Sequence, residues 1–206
     1  MELVLSETQQ LIQATTRKLL EDRSPITRVR ELIDDPAGFD RGLWAQGADL
    51  GWYAMMIPEK YGGASESGSG LAEAAIISEE LGRMVHPGPF QTTNIVASAL
   101  AQFGSEAQRE QYLPAIASGQ SIAAWAYTEA SGGSDRGGSV LEATPAGPGY
   151  VLSGAKTCVQ DAGSADLLLV TARSADGPIQ LLVPAAAPGV AVEPLEGLDL
   201  GRRLFE

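Results

Sequence analysis

The feature that most limits what these 206 residues can fold into is a change of hydrophobic period near residue 120, made once and not reversed. Before it, apolar residues recur at helical spacing. Ser6 with Gln9 spells a capping box, after which Leu11, Ile12, Thr15, Leu19 and Leu20 share one face. Pro25 opens a short helix with Val29, Leu32 and Ile33 inward, and Asp35-Pro36 closes it. Phe39, Leu43, Trp44, Gly47 and Leu50 keep the same register. The run 52–57 is too continuously apolar for a surface loop, so burial is expected there. Helices follow over 71–83 and 92–103, then one capped by Ser105 and Gln108 that is expected to end near Pro114. From Ser121 onward the pattern becomes short β-rich runs between Gly/Pro turns: 122–127, 139–144, 149–154, 166–173, 178–183 and 190–194. A helical half followed by a β half is an α+β layout, not alternating βαβ, with the boundary at Gly119-Gln120. The expected domains are therefore 1–120 and 121–206.

The charge balance narrows the function classes. A net charge of −12 speaks against nucleic acid or an anionic membrane surface as partner, since both need basic patches. No run approaches a membrane span, and the first residues lack the basic and apolar blocks of a signal peptide. One cysteine, Cys158, allows no disulfide within the chain, which fits a cytoplasmic setting. The single histidine, His86, has no clustered Cys/His partners and reads as a surface or capping residue, with no metal site expected.

The most informative stretch is 125–135, Trp-Ala-Tyr-Thr-Glu-Ala-Ser-Gly-Gly-Ser-Asp, where a buried strand breaks into a loop of small residues. Gly132 and Gly133 allow close backbone approach, and Thr128, Ser131 and Ser134 bring hydroxyls. Such a loop suits an oxygen-rich, phosphorylated cofactor, and it equally suits a plain polar turn.

Here the sequence resembles the acyl-CoA dehydrogenase family. Tyr127-Thr128-Glu129 followed by Gly133-Ser134-Asp135 looks like that family's flavin signature, with Ala130 where proline is usual. The run 51–63, ending Pro58-Glu59-Lys60-Tyr61-Gly62-Gly63, resembles its Pro-Glu-x-Tyr-Gly-Gly segment. Glu79-Glu80-Leu81-Gly82-Arg83 and the run from Gly104 to Tyr112-Leu113-Pro114 match later helices in order. The resemblance implies an N-terminal helical domain followed by an antiparallel β-barrel domain incomplete at its C-terminus. The family's C-terminal helical domain is expected to lie outside these residues.

In that family a glutamate removes the α-proton of an acyl-CoA thioester while the β-hydrogen leaves as hydride to FAD. The resemblance therefore implies FAD as cofactor, an acyl-CoA substrate and a homo- or hetero-oligomer. By carry-over, Trp125, Tyr127, Thr128, Gly133 and Ser134 would contact the flavin, and Ser134 would also lie near the CoA moiety. Phe90 and Thr93 would lie at the substrate cavity, with core packing as the other reading of Phe90. A second flavin motif, Lys-x-Trp-Ile-Thr-Asn, corresponds to 156–161. Here tryptophan is replaced by Cys158 and threonine by Gln160, which removes an aromatic face. Cys158 itself reads as a small buried hydrophobe on a strand. Glu129 is expected to be architectural, and no catalytic residue is assigned, because the family's base sits on the C-terminal domain. Arg202-Arg203 reads either as a subunit or nucleotide contact or as a solvated end. The alternatives are a non-catalytic or half-site subunit of a heteromeric dehydrogenase, or a related flavin oxidase or monooxygenase.

Overall fold

The structure, a computed structural model, describes residues 4–65, 67–130, 139–199 and 201–206. It divides into two compact units, Met1–Ser121 and Ile122–Glu206.

The first unit is helical: α1 (Glu7–Arg23), α2 (Ile26–Glu31), α3 (Arg41–Asp49), α4 (Gly70–Arg83), α5 (Phe90–Phe103) and α6 (Glu106–Ala117). The caps read from the sequence are present. Ser6 and Gln9, and likewise Ser105 and Gln108, exchange reciprocal side-chain bonds at the starts of α1 and α6. Each such cap contributes about 1 kcal/mol. Helix α6 does not stop at Pro114. Its final turn is carried by the Ser118 N–H donating to the Pro114 carbonyl, and Leu113, Ile116 and Ala117 are buried beneath it.

The apolar run 52–57 is buried as expected, apart from half-buried Met56. Tyr53 stacks on Trp44 at 3.7 Å between ring centroids and donates its hydroxyl to the Trp44 carbonyl. The Trp44 indole N–H donates in turn to the Gly119 carbonyl. Helix α4 leaves Leu71 73% exposed while Glu73 and Glu80 face inward. The reason is packing against α1. Arg17 reaches across and grips Glu80 with two hydrogen bonds, and Arg83 adds a third. The Arg17 guanidinium holds the Glu80 carboxyl below the usual carboxylate range.

His86 follows α4, and its Nδ1 lies 2.8 Å from the hydroxyl of buried Ser24, the residue that closes α1. Desolvation pulls its pKa down from 6.5 to about 4, against the raising influence of Asp40. The unfolded chain binds a proton on this imidazole below pH ~6.5, whereas the folded chain does so only near pH 4. Stability tied to neutral His86 is thus complete above pH 6.5 and lost as pH falls toward 4. Denaturant titrations at several pH values should show a loss of up to ~3 kcal/mol over that window that is absent in His86→Asn. An unchanged pH profile in that variant would contradict this reading.

The second unit is built of strands β1 (Ala123–Ala126), β2 (Glu142–Ala146), β3 (Gly149–Ser153), β4 (Val159–Gln160), β5 (Leu167–Ser174), β6 (Gly177–Pro184), β7 (Pro194–Leu195) and β8 (Leu204–Phe205). Long β5 is the hub. It pairs along its whole length with β6, antiparallel, and its other edge takes β1 and then one residue of β2, both parallel. β2 continues into an antiparallel hairpin with β3. A second sheet has the order β4-β8-β7. The unit is therefore mixed rather than wholly antiparallel, and no strand pairing among the described residues joins the two sheets into a closed barrel. Their inner faces share one core, including Ala124, Ala126, Leu168, Val170, Ala172 and Val159. No described helix is long and apolar enough to cross a membrane.

Candidate functional site

The alternation of a β-strand assigns the two faces of β1. Ala124 and Ala126 turn into the core, so Trp125 and Tyr127 turn the other way. Trp125 is 36% exposed, a large aromatic left partly in solvent. Its ring lies 4.9 Å from that of Tyr127, tilted by 40°. Its N–H donates to the Thr171 hydroxyl on β5, which donates to Gln180 on β6. The only polar atom of the indole is thus committed, and what Trp125 offers a ligand is ring area. Thr128, the next residue along the chain, is exposed.

A second segment runs alongside. The Thr157 N–H donates to the Thr128 carbonyl at 2.9 Å, which sets Thr157 and Cys158 next to Tyr127 and Thr128. Of the residues singled out from the sequence, Trp125, Tyr127, Thr128 and Cys158 are brought together at this strand end. Gln160 follows two positions on, half-buried, its amide donating to Asp161. Gly133 and Ser134 lie outside the described residues. Phe90 and Thr93 lie in the helical unit. Phe90 is packed edge-on to Trp52, and Thr93 is fully buried. Arg202 is 60% exposed and bridges to Asp199.

Cys158 requires a correction. It is exposed and lies just before β4, not buried on a strand, and its φ is +52°. The backbone there must turn between Lys156, which points inward, and Val159, which enters β4. A left-handed conformation makes that turn, and for a residue with a Cβ it costs roughly 1–2 kcal/mol. Asp161, at φ +60°, bends the chain again, and its N–H donates to the Arg203 carbonyl.

Beneath the surface residues lies a group the sequence reading did not assemble. The Lys156 ammonium and the Glu129 carboxylate, 7% and 5% exposed, form a buried ion pair. Burial pushes the Glu129 carboxyl up, but Lys156 and the N–H and hydroxyl donors of 139–141 outweigh it and hold the pKa at about 2. So weak a base, with both oxygens occupied, is an architectural group, as its place in the motif suggested. Lys156 is visible in the sequence only as the first residue of the second motif. Nothing local says that it is buried or which carboxylate it meets.

The β unit also holds a cavity of about 640 Å³ on the opposite face of β1, lined mainly by core-side residues such as Leu168, Val170, Val183 and Val190. None of Trp125, Tyr127, Thr128, Cys158 or Gln160 borders it.

Residues 6–120 match the acyl-CoA dehydrogenase N-terminal domain, and residues 124–203 match the acyl-CoA dehydrogenase middle domain. The mitochondrial isovaleryl-CoA dehydrogenase of Pongo abelii is 33% identical over 175 residues, 82% of this chain and 40% of that protein. Among solved structures, a variant of the Tcur3481-Tcur3483 steroid ACAD superposes with a TM-score of 0.88 at 32% identity, covering 97% of this chain and 54% of that one. The ChsE4-ChsE5 complex from Mycobacterium tuberculosis gives a TM-score of 0.87 at 30% identity, covering 100% of this chain and 54% of that one. The chain thus spans 40% of that curated relative and 54% of these solved chains.

Proposed function

Because the chain belongs to the acyl-CoA dehydrogenase family, we propose that its β unit holds FAD against the end of β1. On this reading the protein takes part in α,β-desaturation of an acyl-CoA thioester, an oxidoreductase reaction in a soluble, cytoplasmic setting. The observation that carries the reading is the pairing of Tyr127-Thr128 with Thr157-Cys158 beside the solvent-facing Trp125 ring. The residues present suit a flavin on one side: an aromatic ring with its N–H already satisfied, and an exposed Thr128 hydroxyl able to donate or accept. When bound, FAD supplies the acceptor for the hydride that leaves the thioester β-carbon. The chain's own contribution is to bind and orient, with Trp125 and Tyr127 packing against the ring system and Thr128 and Gln160 offering hydrogen bonds. By the motif alone, Gly133 and Ser134 are further proposed flavin contacts, with Ser134 also near the CoA moiety. Phe90 and Thr93 belong to the substrate side of the helical unit.

A second reading has this chain as the half-site or non-catalytic subunit of a heteromeric dehydrogenase. Cys158 favours it, because an exposed thiol at φ +52° stands where the family motif carries an aromatic ring. Two of the similar structures are also named as two-protein assemblies.

The purified chain tests both readings by its visible absorption. Flavin colour in the chain expressed alone supports the first, with Trp125→Ala weakening FAD binding about tenfold through loss of ring contact while leaving circular dichroism unchanged. Colour only on co-expression with a partner subunit supports the second. Protein that is colourless in both settings and takes up no added FAD rules out both.

A further inference from the structure

Three segments of the β unit meet at one point: residues 127–129 at the end of β1, residues 139–141 before β2, and residues 156–158 before β4. Two bonds to backbone carbonyls help staple the first to the third. Lys156 Nζ donates to the Tyr127 carbonyl at 3.3 Å, and the Thr157 N–H donates to the Thr128 carbonyl at 2.9 Å. The ammonium also reaches Glu129 Oε1 and, at 3.1 Å, Ser139 Oγ. Glu129 then closes the figure. Its Oε1 accepts from the Ser139 hydroxyl at 2.7 Å and the Leu141 N–H at 3.1 Å, and its Oε2 accepts from the Val140 N–H at 2.7 Å. One carboxylate thus ties residue 129 to residues 139–141, the two ends that flank 131–138 in the sequence.

Stability alone does not call for charges here, since well-packed apolar residues often serve as well as a buried ion pair. What the charged pair adds is directional. Four donors converge on a single carboxylate and fix the separation of three backbone segments at once. Two of those segments carry the residues that face the cofactor in the function proposed above.

We propose that the Glu129–Lys156 pair is a positioning device for FAD, setting the spacing between Tyr127-Thr128 and Thr157-Cys158 to match the flavin. The inference rests on the FAD-binding reading, and it assigns neither side chain a contact with the reacting atoms. The two side chains act through the backbone they hold.

The test uses the purified full chain, titrated with FAD and followed by flavin fluorescence and visible circular dichroism. Glu129→Gln/Lys156→Met removes both buried charges together, so its melting temperature should stay near wild type. Its FAD affinity should nevertheless fall about tenfold or more, with an altered visible circular dichroism band from the bound flavin, because the segments are no longer held in register. Glu129→Asp keeps both charges but shortens the reach by one methylene, and it should show the same loss of affinity in a folded protein. A double variant that binds FAD with wild-type affinity and spectrum overturns the inference while leaving the FAD reading intact. Wild-type protein that binds no FAD overturns that reading and this inference with it. Should the double variant fail to fold, Glu129→Asp decides alone, and wild-type affinity there is equally fatal.

Discussion

Lys156→Met is expected to destabilise the β unit by about 3–5 kcal/mol, the usual consequence of removing one partner of a buried ion pair. The Glu129 carboxylate would remain 95% shielded, keeping the Ser139, Val140 and Leu141 donors but losing the Lys156 cation beside it. Its pKa would rise from about 2, since Lys156 is the largest influence opposing the desolvation. The pH dependence follows with a definite sign. In the wild-type protein the folded pKa is depressed below the unfolded value near 4.5, so the associated stability is fully present above pH ~4.5 and lost as pH falls toward 2. In Lys156→Met that stabilisation is missing already at neutral pH, and acidification costs correspondingly less. Urea unfolding followed by Trp125 fluorescence, in a background with Trp44→Phe and Trp52→Phe, isolates this unit at pH 7 and pH 4. Equal stability of wild type and variant at pH 7 would show that the pair contributes nothing net.

The second large effect is expected at Gly63, the last residue of the Tyr-Gly-Gly run. A Cβ built there would lie 1.8 Å from the Ile57 carbonyl oxygen, a clash with backbone that no side-chain rotation relieves. The preceding Gly62 has φ +91°, the left-handed conformation in which the 59–61 turn ends, and Gly63 then donates back to the Pro58 carbonyl. The two glycines therefore have different reasons. Gly62 needs backbone freedom, while Gly63 needs empty space against the buried 52–57 segment. Gly63→Ala should cost about 3 kcal/mol or more, the upper end of overpacking penalties, and Gly62→Ala about 1 kcal/mol. Thermal unfolding of the two variants checks the order. A Gly63→Ala protein that melts with wild type would mean that the 52–63 turn shifts freely, contrary to its packing.

Both predictions concern residues whose importance the sequence signals and whose reason it conceals. The Tyr-Gly-Gly run and the Thr-Glu pair were recognisable as motifs, yet neither says which atom fills the space beside Gly63 or which cation meets Glu129. The same division runs through the fold. The capping boxes at Ser6 and Ser105 were legible because donor and acceptor lie three residues apart, within one helical turn. Strands β1, β3, β5 and β6 were legible because each carries its own alternating or apolar pattern, whereas β2 starts three residues after the expected 139–144 run. Strands β4 and β8 were not, since two residues hold no period. The burial of Glu80 on α4 was not legible because it is set by Arg17, 63 residues away, and not by hydrophobic spacing. Cys158 was misread because its chemistry suits a core, whereas its backbone serves as a turn.

The amino-acid sequence by itself thus determined the α+β order, the positions of most elements, the family and the strand end at which FAD is proposed to bind. Each of these depends on interactions within a turn or a strand, or on a motif read directly. Only the tertiary structure decided that β1 runs parallel to β5, that Trp125 faces away from the core with its N–H bound to Thr171, and that Lys156 is buried against Glu129. Those pairings join residues 27 to 46 positions apart. Which of many polar groups meet across such a distance depends on how the sheet is threaded, and no local property of the chain encodes that.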